Sequence, residues 1–145
     1  MKKYKIGYTT GVFDLFHIGH LNILKQAKEK CEFLIVGVTT DEQVRLLKKK
    51  DVVIPFEERI EIVNSIKYVD KAVPETNAQN KFEAWEQYKY NVIFKGDDWK
   101  GTDKWKTYEE QFSQKNVDVV YFPYTAGTSS TKLTEAINNL ILTEN

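Results

Sequence analysis

The chain has 145 residues and a mass of 16.9 kDa, with 21 Lys plus Arg balanced by 21 Asp plus Glu. That length suits one domain, residues 1–145, large enough to fold without a disulfide or metal staple, and the zero net charge argues against a general nucleic-acid binder. The one cysteine, Cys31, excludes an internal disulfide framework, and no apolar run approaches the ~20 residues a membrane helix needs. The start at Met1-Lys2-Lys3 has no apolar leader behind it, so no membrane role and a cytoplasmic location are expected.

In chain order, Lys5 to Thr9 reads as a short strand running into a glycine-containing turn. Gly19 to Lys30 reads as a helix, with Leu21, Leu24, Ala27 and Cys31 at helical spacing. Phe33 to Thr39 is a nearly unbroken apolar run, the pattern of a strand covered on both faces of a parallel sheet. Thr39 to Lys50 reads as a loop. Pro55 then suits the first turn of a helix carrying Phe56, Ile60, Val63 and Ile66.

Lys71 to Val73 is a weak strand, and Asn80 to Tyr90 a helix whose Asn80 and Glu83 are spaced as a cap and its reciprocal partner. Val92 to Lys95 and Val117 to Phe122 are buried strands separated by a helical segment from Trp105 to Lys115. Ser130 to Leu142 closes the chain as an amphipathic helix with Leu133, Ile137, Leu140 and Ile141 on one side. Strands alternating with helices predict a single Rossmann-like, doubly wound α/β domain: a five-stranded, mainly parallel sheet flanked by helices. Such sheets bind ligands beyond the carboxyl ends of their strands, where strand order reverses. The loops to inspect are therefore Thr10 to His20, Thr39 to Lys50, Gly96 to Gly101 and Pro123 to Ser130.

Both histidines of the chain, His17 and His20, flank Gly19 at the mouth of the first helix. A helix start with a glycine and two imidazoles is a site for phosphate: free N–H groups and ring donors meet charge as it develops. The plainer alternative is that His17 merely caps the helix and His20 is an ordinary half-buried residue. A histidine pair without a third ligand is a poor zinc set. No GxGxxG, GxxxxGK[ST] or GxSxG stands in the chain, and Cys31 on an apolar stripe reads as an inert core thiol.

The run from Gly11 to Lys28, with its His17-Ile18-Gly19-His20, resembles the first signature of the HxGH nucleotidylyltransferase superfamily. Within it the chain is most similar to cytidylyltransferases that act on alcohol phosphates. Thr40-Asp41-Glu42, Glu58-Arg59 through Tyr68-Val69-Asp70, and Thr125 to Thr131 agree in order and spacing. Gly96-Asp97-Asp98-Trp99 resembles the glycerol-3-phosphate branch of that family. The resemblance implies that an acceptor phosphate oxygen attacks the α-phosphorus of CTP, pyrophosphate leaving, with no covalent enzyme intermediate.

It also implies the roles of particular residues. His17, His20 and Lys50 would be catalytic, and Thr10, Gly11, Val12, Phe13 and Gly19 would surround the nucleotide, with Asp14 orienting their loop. Lys49, Asp97, Trp99, Tyr124, Thr125 and Gly127 would complete the nucleotide site, together with Ser129, Ser130 and Thr131 at the start of the last helix. Lys48, Lys81 and Arg59 would take the acceptor phosphate. On composition alone Lys48 to Lys50 read as a solvated patch, and it is their place in a switch-point loop that points to function; Lys81 and Arg59 read equally as surface residues, and Trp99 as core. No residue is assigned as a metal ligand; Mg²⁺ would arrive with the CTP phosphates, and a homodimer is implied.

Two departures bear on the substrate. Tyr124 stands where relatives carry Arg, with Ala126 in place of Glu, and Lys67 stands where Arg is usual. A point charge or a phenol does not reproduce the planar guanidinium fork. Another acceptor (phosphocholine, phosphoethanolamine or another polyol phosphate) and a non-catalytic nucleotide-binding module are the rival readings.

Overall fold

The computed structural model describes residues 3–123 and 130–144, with side chains described over 3–123 and 132–141. Its elements are β1 (Tyr4–Gly11), α1 (Ile18–Lys30), β2 (Cys31–Thr39), α2 (Asp41–Lys48), α3 (Phe56–Asn64) and β3 (Lys71–Glu75). They continue with α4 (Lys81–Tyr88), β4 (Val92–Gly96), a 3₁₀ turn (Asp97–Trp99), α5 (Asp103–Ser113), β5 (Asp118–Phe122) and α6 (Ser130–Glu144). The five strands stand in the order β3-β2-β1-β4-β5, and every pairing is parallel. The doubly wound α/β expectation holds, and the sheet is wholly rather than mainly parallel. Strand order reverses between β1 and β4, so a crevice opens beyond Gly11 and Gly96 at their carboxyl ends.

β2 is apolar throughout because it is covered on both faces. Leu34, Val36 and Val38 pack with Leu24 and Ala27 of α1 and Val63 of α3, while Ile35 joins Tyr8, Val73 and the α5 residues Trp105, Tyr108 and Phe112. Tyr8 lies stacked on Tyr90, ring centroids 4.7 Å apart at 8°. That stack needs a hydrogen rather than a methyl at position 37, since a Cβ on Gly37 would lie 2.5 Å from the Tyr8 hydroxyl oxygen. Gly37→Ala is expected to cost about 1–3 kcal/mol, read as a lower denaturant midpoint with an unchanged slope.

The structure corrects three local expectations. The stretch read as a loop after β2 contains α2, started by Thr40, whose side chain accepts from the Gln43 N–H. The eight residues of this helix make barely two turns, so the apolar spacing of Val44 and Leu47 does not repeat far enough to stand out from a loop. Cys31 belongs not to α1 but to the first position of β2, paired with Tyr4; helix and strand abut with no loop between them. It stays buried, its thiol donating to the Ala27 carbonyl. Asn80 does cap α4 by accepting from the Phe82 N–H, but Glu83 accepts from Asn77 rather than returning to Asn80.

Candidate active site

Between β1 and α1 the backbone takes an uncommon path. Phe13 (φ 55°) and Leu15 (φ 51°) both sit in the left-handed region, which costs a residue with a Cβ roughly 1–2 kcal/mol. Burial holds the conformation: Phe13 is 6% exposed and packs edge-on against His20 at 5.3 Å. Gly11 makes room, because a Cβ there would lie 2.9 Å from the Phe13 ring. Asp14 closes the loop, its two oxygens accepting from the Val53 N–H at 2.8 Å and the Ile54 N–H at 2.9 Å.

The histidine pair is wired into the helix start. His17 is the N-cap of α1, its Nδ1 accepting from the Gly19 N–H at 3.1 Å, and His20 Nδ1 accepts from the His17 N–H at 3.2 Å. An Nδ1 that accepts carries no proton, so each neutral ring bears its hydrogen on Nε2. Capping and ligand binding are thus compatible: one nitrogen of each ring serves the backbone and the other is left as a donor. The rings lie 4.0 Å apart, centroid to centroid, and both line a cavity of about 330 Å³.

Burial pushes the His17 imidazole below its usual range. His20 is pushed down to about 4, first by burial and then by His17 and Lys48, against the opposing pull of Asp14. Between about 6.5 and about 4 the unfolded chain therefore takes a proton at residue 20 that the folded chain refuses. Stability from this site is complete above that window and is lost as pH falls through it. In urea melts the effect is expected to shrink to the His17 share in His20→Gln, which keeps a reciprocal cap but does not titrate.

The cavity has a second lobe of about 290 Å³, and Thr10, Gly11, Val12, Lys48, Lys95 and Trp99 belong to both. The first lobe adds Asp14, His17, Gly19, His20, Lys50 and Asp98; the second adds Glu75, Lys81, Lys104 and Trp105. Lys48 ends α2, and burial with Lys50 nearby holds its ammonium below the usual lysine range. Lys81, 6% exposed, is no surface lysine: its Nζ donates to Glu75 Oε2 at 2.7 Å and to Thr10 Oγ1 at 3.2 Å. Trp99 is 41% exposed on the wall of the cleft and is not core.

Three expected contacts fall elsewhere. Arg59 is neither a surface residue nor an acceptor ligand: its side chain is fully buried, with Nε on the Ile54 carbonyl. Its Nη1 reaches the Val12 and Thr39 carbonyls at 2.7 Å each, and Nη2 reaches Asp41. It holds the walls of the site together from behind. Lys49 lines neither lobe; it is the left-handed C-cap of α2 (φ 53°), turning the chain between Lys48 and Lys50. Asp97 begins the 3₁₀ turn outside both lobes, and its neighbour Asp98 lines the first.

Tyr124, Thr125, Gly127 and Ser129 lie outside the described residues, as do the side chains of Ser130 and Thr131, where α6 begins. Lys67 lines neither lobe and lies 5.2 Å over the Tyr68 ring. Sequence reasoning missed Lys95, Asp98, Glu75, Lys104 and Trp105. The available signal was position: Lys95 follows directly on the apolar part of β4, and Asp98 lies in the Gly96 to Gly101 loop at the carboxyl end of the sheet.

Among the described residues, no group of three or more His, Cys, Asp or Glu side chains is placed to hold a metal ion, and no helix is long and apolar enough to cross a membrane. A family model described as Cytidylyltransferase-like matches residues 8–139. The chain is 37% identical over 132 residues to the glycerol-3-phosphate cytidylyltransferase of Bacillus subtilis (strain 168), an alignment covering 91% of this chain and 96% of that one. It is 34% identical over 134 residues to the FAD synthase of Thermococcus kodakarensis, covering 92% and 89%. A solved structure, the lipopolysaccharide core biosynthesis protein from Thermoplasma volcanium GSS1, matches with a TM-score of 0.70 at 22% identity, over 86% of this chain and 99% of that one. This last likeness is one of fold.

Proposed function

The chain belongs to the cytidylyltransferase-like family and is a nucleotidyltransferase, and from that premise we propose that it transfers the cytidylyl group of CTP to glycerol 3-phosphate. An acceptor phosphate oxygen forms a bond to the α-phosphorus as the bond to the β-phosphate oxygen breaks, giving CDP-glycerol and pyrophosphate. The observation that carries the reading is the pair of Nε2–H donors, fixed by their Nδ1 bonds at a helix start and lining a lysine-rich cleft. His17 and His20 donate to phosphate oxygens as charge builds there, and Lys50 neutralises the triphosphate in the same lobe. Lys81 and Lys48 take the acceptor phosphate in the second lobe, Glu75 holding Lys81 in place.

Mg²⁺ is proposed to enter with the CTP phosphates. A Mg²⁺ ion that keeps its waters and is carried mainly by substrate needs only one or two carboxylates. Asp98 in the first lobe is the residue that would hold it, since both oxygens of Asp14 serve backbone N–H groups. When bound, the ion neutralises charge on the phosphates. A cytoplasmic location is in keeping with the single buried Cys31. The homodimer rests on the family resemblance, and sedimentation of a single species at twice the chain mass is its test.

The experiment is pyrophosphate release with Mg²⁺, CTP and glycerol 3-phosphate, beside wells holding ATP, phosphocholine, phosphoethanolamine or flavin mononucleotide. The likeness to FAD synthase makes the last well, with ATP, the informative rival. A second lobe of about 290 Å³ sits at the low end of ligand-site volumes and suits a small phosphate ester better than a tricyclic flavin. Signal confined to CTP with glycerol 3-phosphate is expected. Signal only with ATP and the flavin would reassign both substrates.

A further inference from the structure

Lys95 has no part in the roles assigned so far. It stands at the carboxyl end of β4, on the far side of the crevice from β1, and its half-buried side chain belongs to both lobes. Among the described residues its ammonium has no hydrogen-bond or ion-pair partner; Nζ lies 5.0 Å over the Trp99 ring and 5.7 Å over that of Trp105. Glu75 is committed to Lys81 and Thr39, and acts on Lys95 only at longer range, as Asp98 does. A half-buried cation with no anion beside it among the described residues is only partly solvated, so the fold carries it at some cost to stability. Such a charge, on a wall that both lobes share, is matched by an anion that arrives from outside.

We propose that Lys95 is a substrate-contacting residue of this reaction, its ammonium binding phosphate oxygens where the nucleotide and acceptor lobes meet. The inference rests on the cytidylyl-transfer reading of the site. At that junction the acceptor oxygen and the α-phosphate must approach each other, bringing negative charge from both sides. A cation there offsets their repulsion. The surroundings keep the charge in reserve: burial, with Lys81 and Lys48 nearby, pushes the Lys95 ammonium down to about 8 against the pull of Glu75 and Asp98. A bound phosphate reverses that push.

The test compares Lys95→Met and Lys95→Arg with the wild type for pyrophosphate release and for melting temperature. Lys95→Met is expected to lower kcat/KM by about 10- to 100-fold and yet to melt above the wild type. Lys95→Arg is expected to keep most of the activity and to hold it to higher pH than the wild type, because burial pushes the lysine ammonium down to about 8 while a guanidinium stays charged. Lys95→Met within about 3-fold of the wild type overturns the proposal, as does a loss accompanied by a lower melting temperature. If the wild type releases no pyrophosphate with any substrate, the cytidylyl-transfer reading fails separately. The lysine is then decided by CTP calorimetry: binding at least about tenfold weaker in Lys95→Met sustains it, and equal binding overturns it.

Discussion

His17→Asn and His20→Gln are each expected to lower kcat by roughly 100- to 1,000-fold, the loss typical when one preorganised donor is withdrawn from developing charge. The choice of replacement separates chemistry from folding. Asparagine is among the best N-cap residues and glutamine suits the third helical position, so each variant keeps the helix start while losing the ring Nε2–H. Far-UV circular dichroism should match the wild type while pyrophosphate release falls. The double variant should lose less than the product of the single losses, because the two rings are 4.0 Å apart and act on one group of phosphates. Near-normal turnover in either single variant would remove that histidine from the reaction.

Arg59→Leu is expected to be the most destabilising single change, at about 3–5 kcal/mol against a typical total of 5–15 kcal/mol. Leucine leaves the Val12, Thr39 and Ile54 carbonyls without the donors they now have, and leaves Asp41 without its cation. Asp41→Asn should cost far less, because the Asp41 side chain is 32% exposed and solvent already screens its charge. Arg59→Lys should rescue little, since one ammonium cannot span four acceptors set around a planar fork. Denaturant melts of the three variants give the ranking, and equal midpoints for Arg59→Leu and Asp41→Asn would show that the carbonyl bonds contribute little.

The contrast between His17 and Arg59 shows what was legible in the sequence. His17-Ile18-Gly19-His20 is contiguous, follows a strand and opens a helix, so its place at a helix start beside the crevice could be read directly from spacing. The apolar run from Phe33 to Thr39 likewise announced a strand covered on two faces. Arg59 looks like any charged residue of an amphipathic helix; its role comes from carbonyls 47, 20 and 5 residues away that only the folded chain assembles. The Glu75–Lys81 pair joins a strand end to a helix start across an intervening turn, and no periodicity marks it. Lys95 was hidden by its strand, where one lysine after an apolar run reads as the edge of the core rather than as a wall of the cleft. α2 was missed because its eight residues are too few for an apolar stripe to repeat.

The placement of β4 beside β1 has a kinetic consequence. The two strands that flank the crevice are joined by contacts such as Thr9 Oγ1 to the Phe94 carbonyl, 85 residues apart in the chain. β2 and β3 can assemble on β1 through connections much shorter than that, whereas docking β4 closes the longest loop in the central sheet and loop closure must precede its reward. On a ribosome, the histidine loop is made among the first twenty residues yet has no opposite wall until residue 96 has been synthesised. Competence to bind substrate should therefore lag behind compaction during refolding, with CTP protection emerging in the slow phase.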